Sequence, residues 1–309
     1  MSQIPKVGLI GGTGLADLLR DATGAKRHEV KTPFGSPSDA ILETQWENLS
    51  VLLLARHGPG HTINPSQIPV RANIFALKQL GCTHILASGA VGSLRQELKP
   101  KELAIPDQVI DKTSKRPATF FDKSAVHVEF AEPFCPVLRR ILIEEGQSGI
   151  DGGKVHDGAC YVCMEGPQFS TRAESLMHRM WGGDLIGMTV MPEAKLAREA
   201  EIPYALIALV TDYDCWKSRG DSLGAAPPAP HAPPDAIGVL NEILSNLKTA
   251  SSRGVELMRR ALRRIAADPA ALAACPARNA LQLAIWSDKS RLDEEEKHRL
   301  SPLWGKYLG

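Results

Sequence analysis

The amino-acid sequence predicts an α/β fold, a largely parallel or mixed β-sheet with helices packed on each side. Two patterns predict it. Short apolar runs recur along the chain: "KVGLI", "SVLLLA", "HILAS", "LAIPDQVI", "YVCM", "DLIGM" and "YALIALVTD". They are continuous rather than alternating, as strands covered on both faces are. Between several of them lie amphipathic segments, "ANIFALKQLG", "CPVLRRILIEEG", "RAESLMHRMWGG" and "PEAKLAREAE", whose spacing fits helices on such a sheet. Ligands on these sheets sit beyond the carboxyl ends of strands, so strand ends are the places to look for chemistry.

Bulk properties agree. A chain of 309 residues, 43% hydrophobic with net charge +1, has ample length for one large α/β domain or two smaller ones. Charge this balanced argues against nucleic acid as a partner. No stretch reaches the roughly 20 apolar residues of a membrane span, and the glycine-rich start is unlike a secretion signal. The six cysteines sit among apolar positions, as reduced thiols in a cytoplasm do. Cys160 and Cys163 have metal-ligand spacing, but no second pair completes a four-ligand site; two thiols in a buried strand is the better reading.

Several strand ends carry ligand-binding chemistry. The first strand ends in Gly11-Gly12-Thr13-Gly14, where free backbone N–H groups and the Thr13 hydroxyl either cradle an anion or simply form a tight turn. Asp17 stands where a dinucleotide fingerprint needs its third glycine, and no Gly-Lys-Ser/Thr follows to make a P-loop. A second run ends at Arg56 and His57, a planar fork and a ring N–H donor suited to phosphate oxygens. A third ends "LASGAVGSL", read as a glycine turn with free amides after Ser88. Together these ends are rich in donors and poor in acids. "MEGPQFSTRAES" places Glu165, Phe169, Ser170 and Thr171 before a helix, and Met188 and Thr189 close another strand.

The longest apolar run ends "VTDYDCW", with Asp212 and Asp214 one residue apart. Three uses compete for such a pair: a divalent metal, a shared proton, or the donor edge of a ligand. No third ligand or histidine cluster accompanies it, which weighs against metal. After it, "GAAPPAPHAPPDA" reads as a connection without regular structure. Then Ile237, Leu240, Ile243, Leu244 and Leu247 recur at helical spacing, and the helix should continue through "VELMRRALRRIAAD". The last stretch reads as short helices laid on the main body.

These motifs, in this order, resemble the methylthioadenosine phosphorylase branch of the trimeric purine nucleoside phosphorylase family. The matching segments are "GLIGGTGL", "LLARHG", "HTINPSQI", "GAVGSLR", "RPATFFD", "AEPFCP", "EGPQFSTRAES", "MTVMPEAKLA" and "TDYDCW". The resemblance implies a single-domain fold with a central mixed sheet or distorted barrel flanked by helices. It places a phosphorylase domain over residues 1–265, with the proline-rich loop at about 224–234, and a helical extension over 266–309.

The resemblance also implies the chemistry: phosphorolysis of 5′-methylthioadenosine, with inorganic phosphate as co-substrate, no cofactor and no metal. Phosphate is expected at Thr13, Arg56, His57, Ser170, Thr189 and the backbone of Gly89 and Ala90. Phe169 would face the purine, Met188 the ribose, and Val239 and Leu240 the 5′ methylthio group. Asp212 and Asp214 would read adenine through N7 and its amino group. His127 matches a residue lent to a neighbouring subunit's 5′ pocket, implying a homotrimer or a dimer of trimers. One departure is Gly89, where related enzymes carry a hydroxyl or amide side chain. Rival readings are 5′-deoxyadenosine as a further substrate, a 6-oxopurine phosphorylase, which Asp212 disfavours, and a nucleoside-binding regulator without catalysis.

Overall fold

A computed structural model describes residues 5–12, 24–217 and 236–308. In chain order its strands are β1 (Lys6–Gly11), β2 (Lys26–His28), β3 (Ile41–Trp46), β4 (Leu49–Ala55), β5 (His84–Ser93), β6 (Leu103–Ile105), β7 (Gln108–Asp111), β8 (Val155–Asp157), β9 (Cys160–Cys163), β10 (Leu185–Gly187) and β11 (Tyr204–Tyr213). They form one mixed sheet in the order β2-β3-β4-β1-β5-β10-β9-β7. The sheet branches at β5, which also pairs with β11; β11 leads on to β6 and β8.

The continuous apolar runs are explained by two layers of packing. Along β11, Tyr204, Leu206, Ala208 and Val210 point into one hydrophobic cluster, while Ala205, Ile207 and Leu209 point into another. Helices α1 (Val70–Gln79), α2 (Pro136–Gly146), α3 (Arg172–Met180), α4 (Val190–Glu199) and α5 (Ala236–Ala267) follow, then α6 (Glu294–Arg299) and α7 (Ser301–Leu308). Residues of α1 and α4 fill the first cluster; those of α2 and α5 fill the second. Trp304 of α7 is fully buried in the first cluster and packs on Phe121 at 4.9 Å between ring centroids.

Two expectations change. "LAIPDQVI" is two strands, because Pro106 lacks the N–H a continuing ladder needs: β6 pairs with β11 and β8, whereas β7 pairs with β9. "GAVGS" is not a turn. It continues β5, with Gly89 and Ala90 opposite Ala208 and Leu209 of β11. Glycine's poor strand propensity suggested a turn, but pairing with the buried β11 overrides it.

This pairing makes the site. One edge of β5 follows β11 along its length. The other edge pairs with β1 only as far as Ala87 and is rejoined by β10 at Gly92. From Ser88 to Val91 that edge has no strand partner among the described residues.

Candidate active site

Around this open edge the strand ends converge. Arg56 follows β4 and its side chain is 1% exposed. Its fork, read from sequence as suited to phosphate oxygens, is turned to Glu193: Nε and Nη2 donate to the two carboxylate oxygens at 2.8 and 2.9 Å, and Nη1 donates to Ser88 O at 2.7 Å. Tyr204 Oη also donates to Glu193, at 2.8 Å. Burial opposes the charge on Arg56, and the Glu193 carboxylate more than offsets it, holding the guanidinium above its ordinary pKa. The strand ends are therefore not poor in acids; Glu193 lies among them. Among the described residues, only the second hydrogens on Nη1 and Nη2 remain without an acceptor.

His57 is also placed differently. Nδ1 lies 2.9 Å from the carbonyl of Ile63, and since a carbonyl only accepts, Nδ1 carries the hydrogen. Burial, with Arg56 nearby, lowers the ring's pKa to about 4. The neutral ring thus presents Nε2 as an acceptor rather than the donor expected from sequence. Gly12 lies alongside, a methyl group there standing 3.6 Å from the His57 ring. Thr13 lies outside the described residues.

At the open edge, a methyl group at Gly89 would stand 3.0 Å from Thr189 Oγ1. That hydroxyl is buried and finds no partner among the described residues. The space a side chain at 89 would use is thus already filled by a donor from the turn into α4. Ala90 beside it is exposed.

The two acids meet across Gly92. A methyl group there would lie 3.4 Å from both Asp212 Oδ2 and Asp214 Cβ. A β-bulge between Val210 and Asp212 sets their positions. The extra residue, Thr211, is buried; its hydroxyl lies 3.1 Å from Val91 O and 2.5 Å from Asp212 Oδ1, and its carbonyl accepts from Asn246 Nδ2 of α5 at 2.8 Å. Burial first, and the Asp214 charge besides, raise the pKa of Asp212, against the Thr211 hydrogen bond. Asp214 is 8% exposed, and its Oδ2 has no hydrogen-bond partner among the described residues, an acceptor suited to a ligand's N–H.

The loop 164–171 closes one side. Phe169 is 84% exposed, and the Ser170 carbonyl accepts from Cys215 Sγ at 3.3 Å, which ties this loop to the turn after the acids. Ser170 Oγ lies 3.7 Å from Met164 Sδ. Gly166 has φ +67°, and a methyl group there would strike Met188 Sδ at 2.5 Å, so only glycine fits. Arg116 joins loop 164–171 to Met188, and Glu165 braces it. Burial works against the Glu165 charge, but the amides of Ser114 and Lys115 together with Arg116 hold its carboxyl below the ordinary range.

Among the described residues, the expected 5′ wall is not assembled. Leu240 is 55% exposed on the same face of α5 as Ile237 and Leu244, while Asn246 and Ala250 face inward. The side chain of Val239 and the proline-rich loop lie outside the described residues. His127 is exposed. Its backbone N donates to Ala284 O at 2.9 Å, and its ring packs on Trp286 at 4.6 Å.

Glu193, Arg116 and Asn246 were missed as functional residues. Glu193 and Arg116 lie inside motifs that stood out, "MTVMPEAKLA" and "RPATFFD"; Asn246, a polar residue on an apolar helical stripe, was the one available signal for its own burial. Among the described residues, no group of three or more His, Cys, Asp or Glu is arranged to hold a metal ion, and no helix is long and apolar enough to cross a membrane.

Comparison with known proteins adds the last step. Residues 6–263 match the family model described as the phosphorylase superfamily. The chain is 43% identical to S-methyl-5′-thioadenosine phosphorylase of Chloroflexus aurantiacus, over 97% of this chain and 98% of that protein. The fold matches the crystal structure of a methylthioadenosine phosphorylase from an antarctic soil metagenomic library with a TM-score of 0.85 at 40% identity, covering 97% of this chain and 99% of that one. It also matches a mutant adenosine/methylthioadenosine phosphorylase from Schistosoma mansoni, in complex with methylthioadenosine, with a TM-score of 0.77 at 36% identity, covering 91% and 99%. With the sheet, the converging strand ends and these matches in agreement, the chain belongs to the phosphorylase superfamily.

Proposed function

We propose that the protein catalyses phosphorolysis of 5′-methylthioadenosine, releasing adenine and 5-methylthioribose 1-phosphate. The observation that carries this reading is the acid pair: Asp212 has a raised pKa, and the buried Asp214 beside it keeps an acceptor without a partner among the described residues. A protonated Asp212 donates to N7 as the bond from C1′ to N9 lengthens, so adenine leaves neutral. Asp214 accepts from the amino group. Phosphate, held on the other face of the sugar by Thr13, Arg56, His57, Gly89, Ala90, Ser170 and Thr189, forms the new bond to C1′ as positive charge develops there. Phe169 covers the purine and Met188 the ribose. Inorganic phosphate is a substrate, and no step calls for a cofactor.

The same reading takes 1–265 as the phosphorylase domain and 266–309 as an extension packed on it; the match over 6–263 and the burial of Trp304 support this. It takes the enzyme as a homotrimer, or a dimer of trimers, in which His127 completes a neighbour's 5′ pocket with Val239 and Leu240. The exposure of His127, Leu240 and Trp286 supports that arrangement. Cytoplasmic residence is supported by six free cysteines.

The test is adenine release from methylthioadenosine, 5′-deoxyadenosine, adenosine and inosine, with and without phosphate. Phosphate-dependent cleavage of the aminopurine nucleosides is expected, with inosine far slower. Asp212→Asn should lower kcat for methylthioadenosine by roughly 10²- to 10⁴-fold and narrow the preference over inosine, because an amide donates to an oxo group. Cleavage undiminished without phosphate, or an unaltered preference in the variant, would refute the reading.

A further inference from the structure

The segment "RPATFFD" takes no part in the reaction just described, yet the side chain of its first residue is buried against the segments that carry Met164, Glu165 and Met188. The Arg116 side chain is 4% exposed, and each of its five N–H groups has its own acceptor. Nε donates to Glu165 Oε1 at 3.0 Å. Nη1 donates to Met188 O at 2.5 Å and Met191 O at 2.7 Å. Nη2 donates to Glu165 O and, at the longer 3.4 Å, to Met164 O.

These acceptors come from two segments that leave adjacent strands: β9 and β10 pair in parallel as far as Cys163 and Gly187, Met164 N donates to Gly187 O at 2.9 Å, and beyond that ladder Arg116 bonds both. Residues 164–165 follow β9 and open the loop carrying Phe169 and Ser170. Residues 188–191 lie at the turn from β10 into α4 and carry Met188 and Thr189; Met191 there has non-helical φ −112° and ψ 134°. The segment bearing Arg116 is itself pinned, because Glu165 Oε2 accepts from the amides of Ser114 at 2.7 Å and Lys115 at 3.2 Å.

We infer that Arg116 is a positioning residue for the reaction: one guanidinium fixes the loop that covers the purine and offers Ser170 against the strand end that holds the ribose and offers Thr189. The inference rests on the proposed phosphorolysis. Its physical basis is that the nucleophile and the departing base must be held on opposite faces of one carbon, and a misplacement of about 1 Å can cost roughly 100-fold in rate. A planar fork with five donors spans both segments; a lysine, with three donors on one nitrogen, does not.

The experiment compares wild type, Arg116→Ala and Arg116→Lys in phosphate-dependent adenine release, with melting curves for each. If the wild type itself releases no adenine, the proposed function fails, not this inference. With an active wild type, folded Arg116→Ala should lose roughly 100-fold in kcat, and guanidinium ion at millimolar concentration should restore a substantial part where methylammonium does not. A purely structural role would not respond to that ion. Arg116→Lys should fold and keep a kcat deficit of roughly tenfold or more. Activity near wild type in either variant, or a folded Arg116→Ala that guanidinium fails to restore, overturns the inference. Should neither variant fold, Glu165→Gln decides: kcat lowered by roughly threefold or more supports the staple, and an unchanged kcat overturns it.

Discussion

At the scale of single residues, hydrogen-bond assignment changes what His57 can do. Its Nδ1–H is committed to the Ile63 carbonyl, its ring stacks on His61 at 4.1 Å, and burial beside Arg56 lowers its pKa to about 4. At neutral pH its Nε2 is therefore an acceptor, and the proposed function sets it against an anion. It suits the phosphate monoanion, whose P–O–H can donate, better than the dianion. At saturating nucleoside, kcat/KM for total phosphate should rise as the pH falls from about 8 to about 6, and His57→Ala should flatten that rise. A wild-type profile that climbs with pH over the same range would show that His57 does not act as an acceptor. Arg56 was legible as a candidate phosphate residue by type and place, but its pairing was not: Glu193 is 137 positions distant in sequence, and only the fold brings them together.

At the scale of elements, a buried polar side chain helps hold each of the longest helix and the C-terminal segment to the site's scaffold. Asn246 of α5 caps the bulge residue Thr211, so the helix that begins at the expected 5′ wall also holds the strand end bearing the acids. Glu201, just after α4, is 5% exposed and gathers the extension. Its Oε1 accepts from Leu281 N at 3.0 Å and Tyr307 Oη at 2.6 Å, and its Oε2 lies 2.7 Å from Lys306 Nζ. Glu201→Ala leaves these donors without their acceptor and should destabilise the fold by about 2 to 3 kcal/mol. Limited proteolysis should then release 266–309 first. If the variant melts like wild type and is cleaved no faster, the carboxylate does not clamp the extension. That these late residues form short helices was readable from their composition, but their place in the main core was not, because Trp304 meets Phe121 only across the folded chain.

For the molecule as a whole, stability should carry the signature of a buried acid. Glu199, at the end of α4, accepts from Phe120 N at 2.8 Å. Burial raises its pKa from 4.5 to about 7, with Asp122 adding to the shift and the hydrogen bonds of Phe120 and Thr119 opposing it. The folded state thus holds a proton that the unfolded chain has released. This contribution is fully present below the unfolded pKa of 4.5. It is lost as pH rises through about 7, at roughly 1.4 kcal/mol per pH unit across that window. Glu199→Gln, which keeps an acceptor without the charge, should remove this part of the pH dependence and raise the melting temperature at and above neutral pH. A variant whose stability follows the wild-type pH curve would show that Glu199 is not the group responsible.

The sequence by itself determined the layers and the candidate chemistry. Apolar runs such as "YALIALVTD" can only be strands covered on both faces, and the acids and donors placed at run ends need no partner to be recognised by type. Tertiary structure alone decided the rest. It carried β5 through two glycines to Ser93, left the edge from Ser88 to Val91 without a strand partner among the described residues, turned the Arg56 fork toward Glu193, and joined two loops through Arg116. Each of these depends on pairing between residues far apart in the chain. The free energy of such pairing lies in burial and hydrogen-bond satisfaction on folding, which no local pattern of residues records.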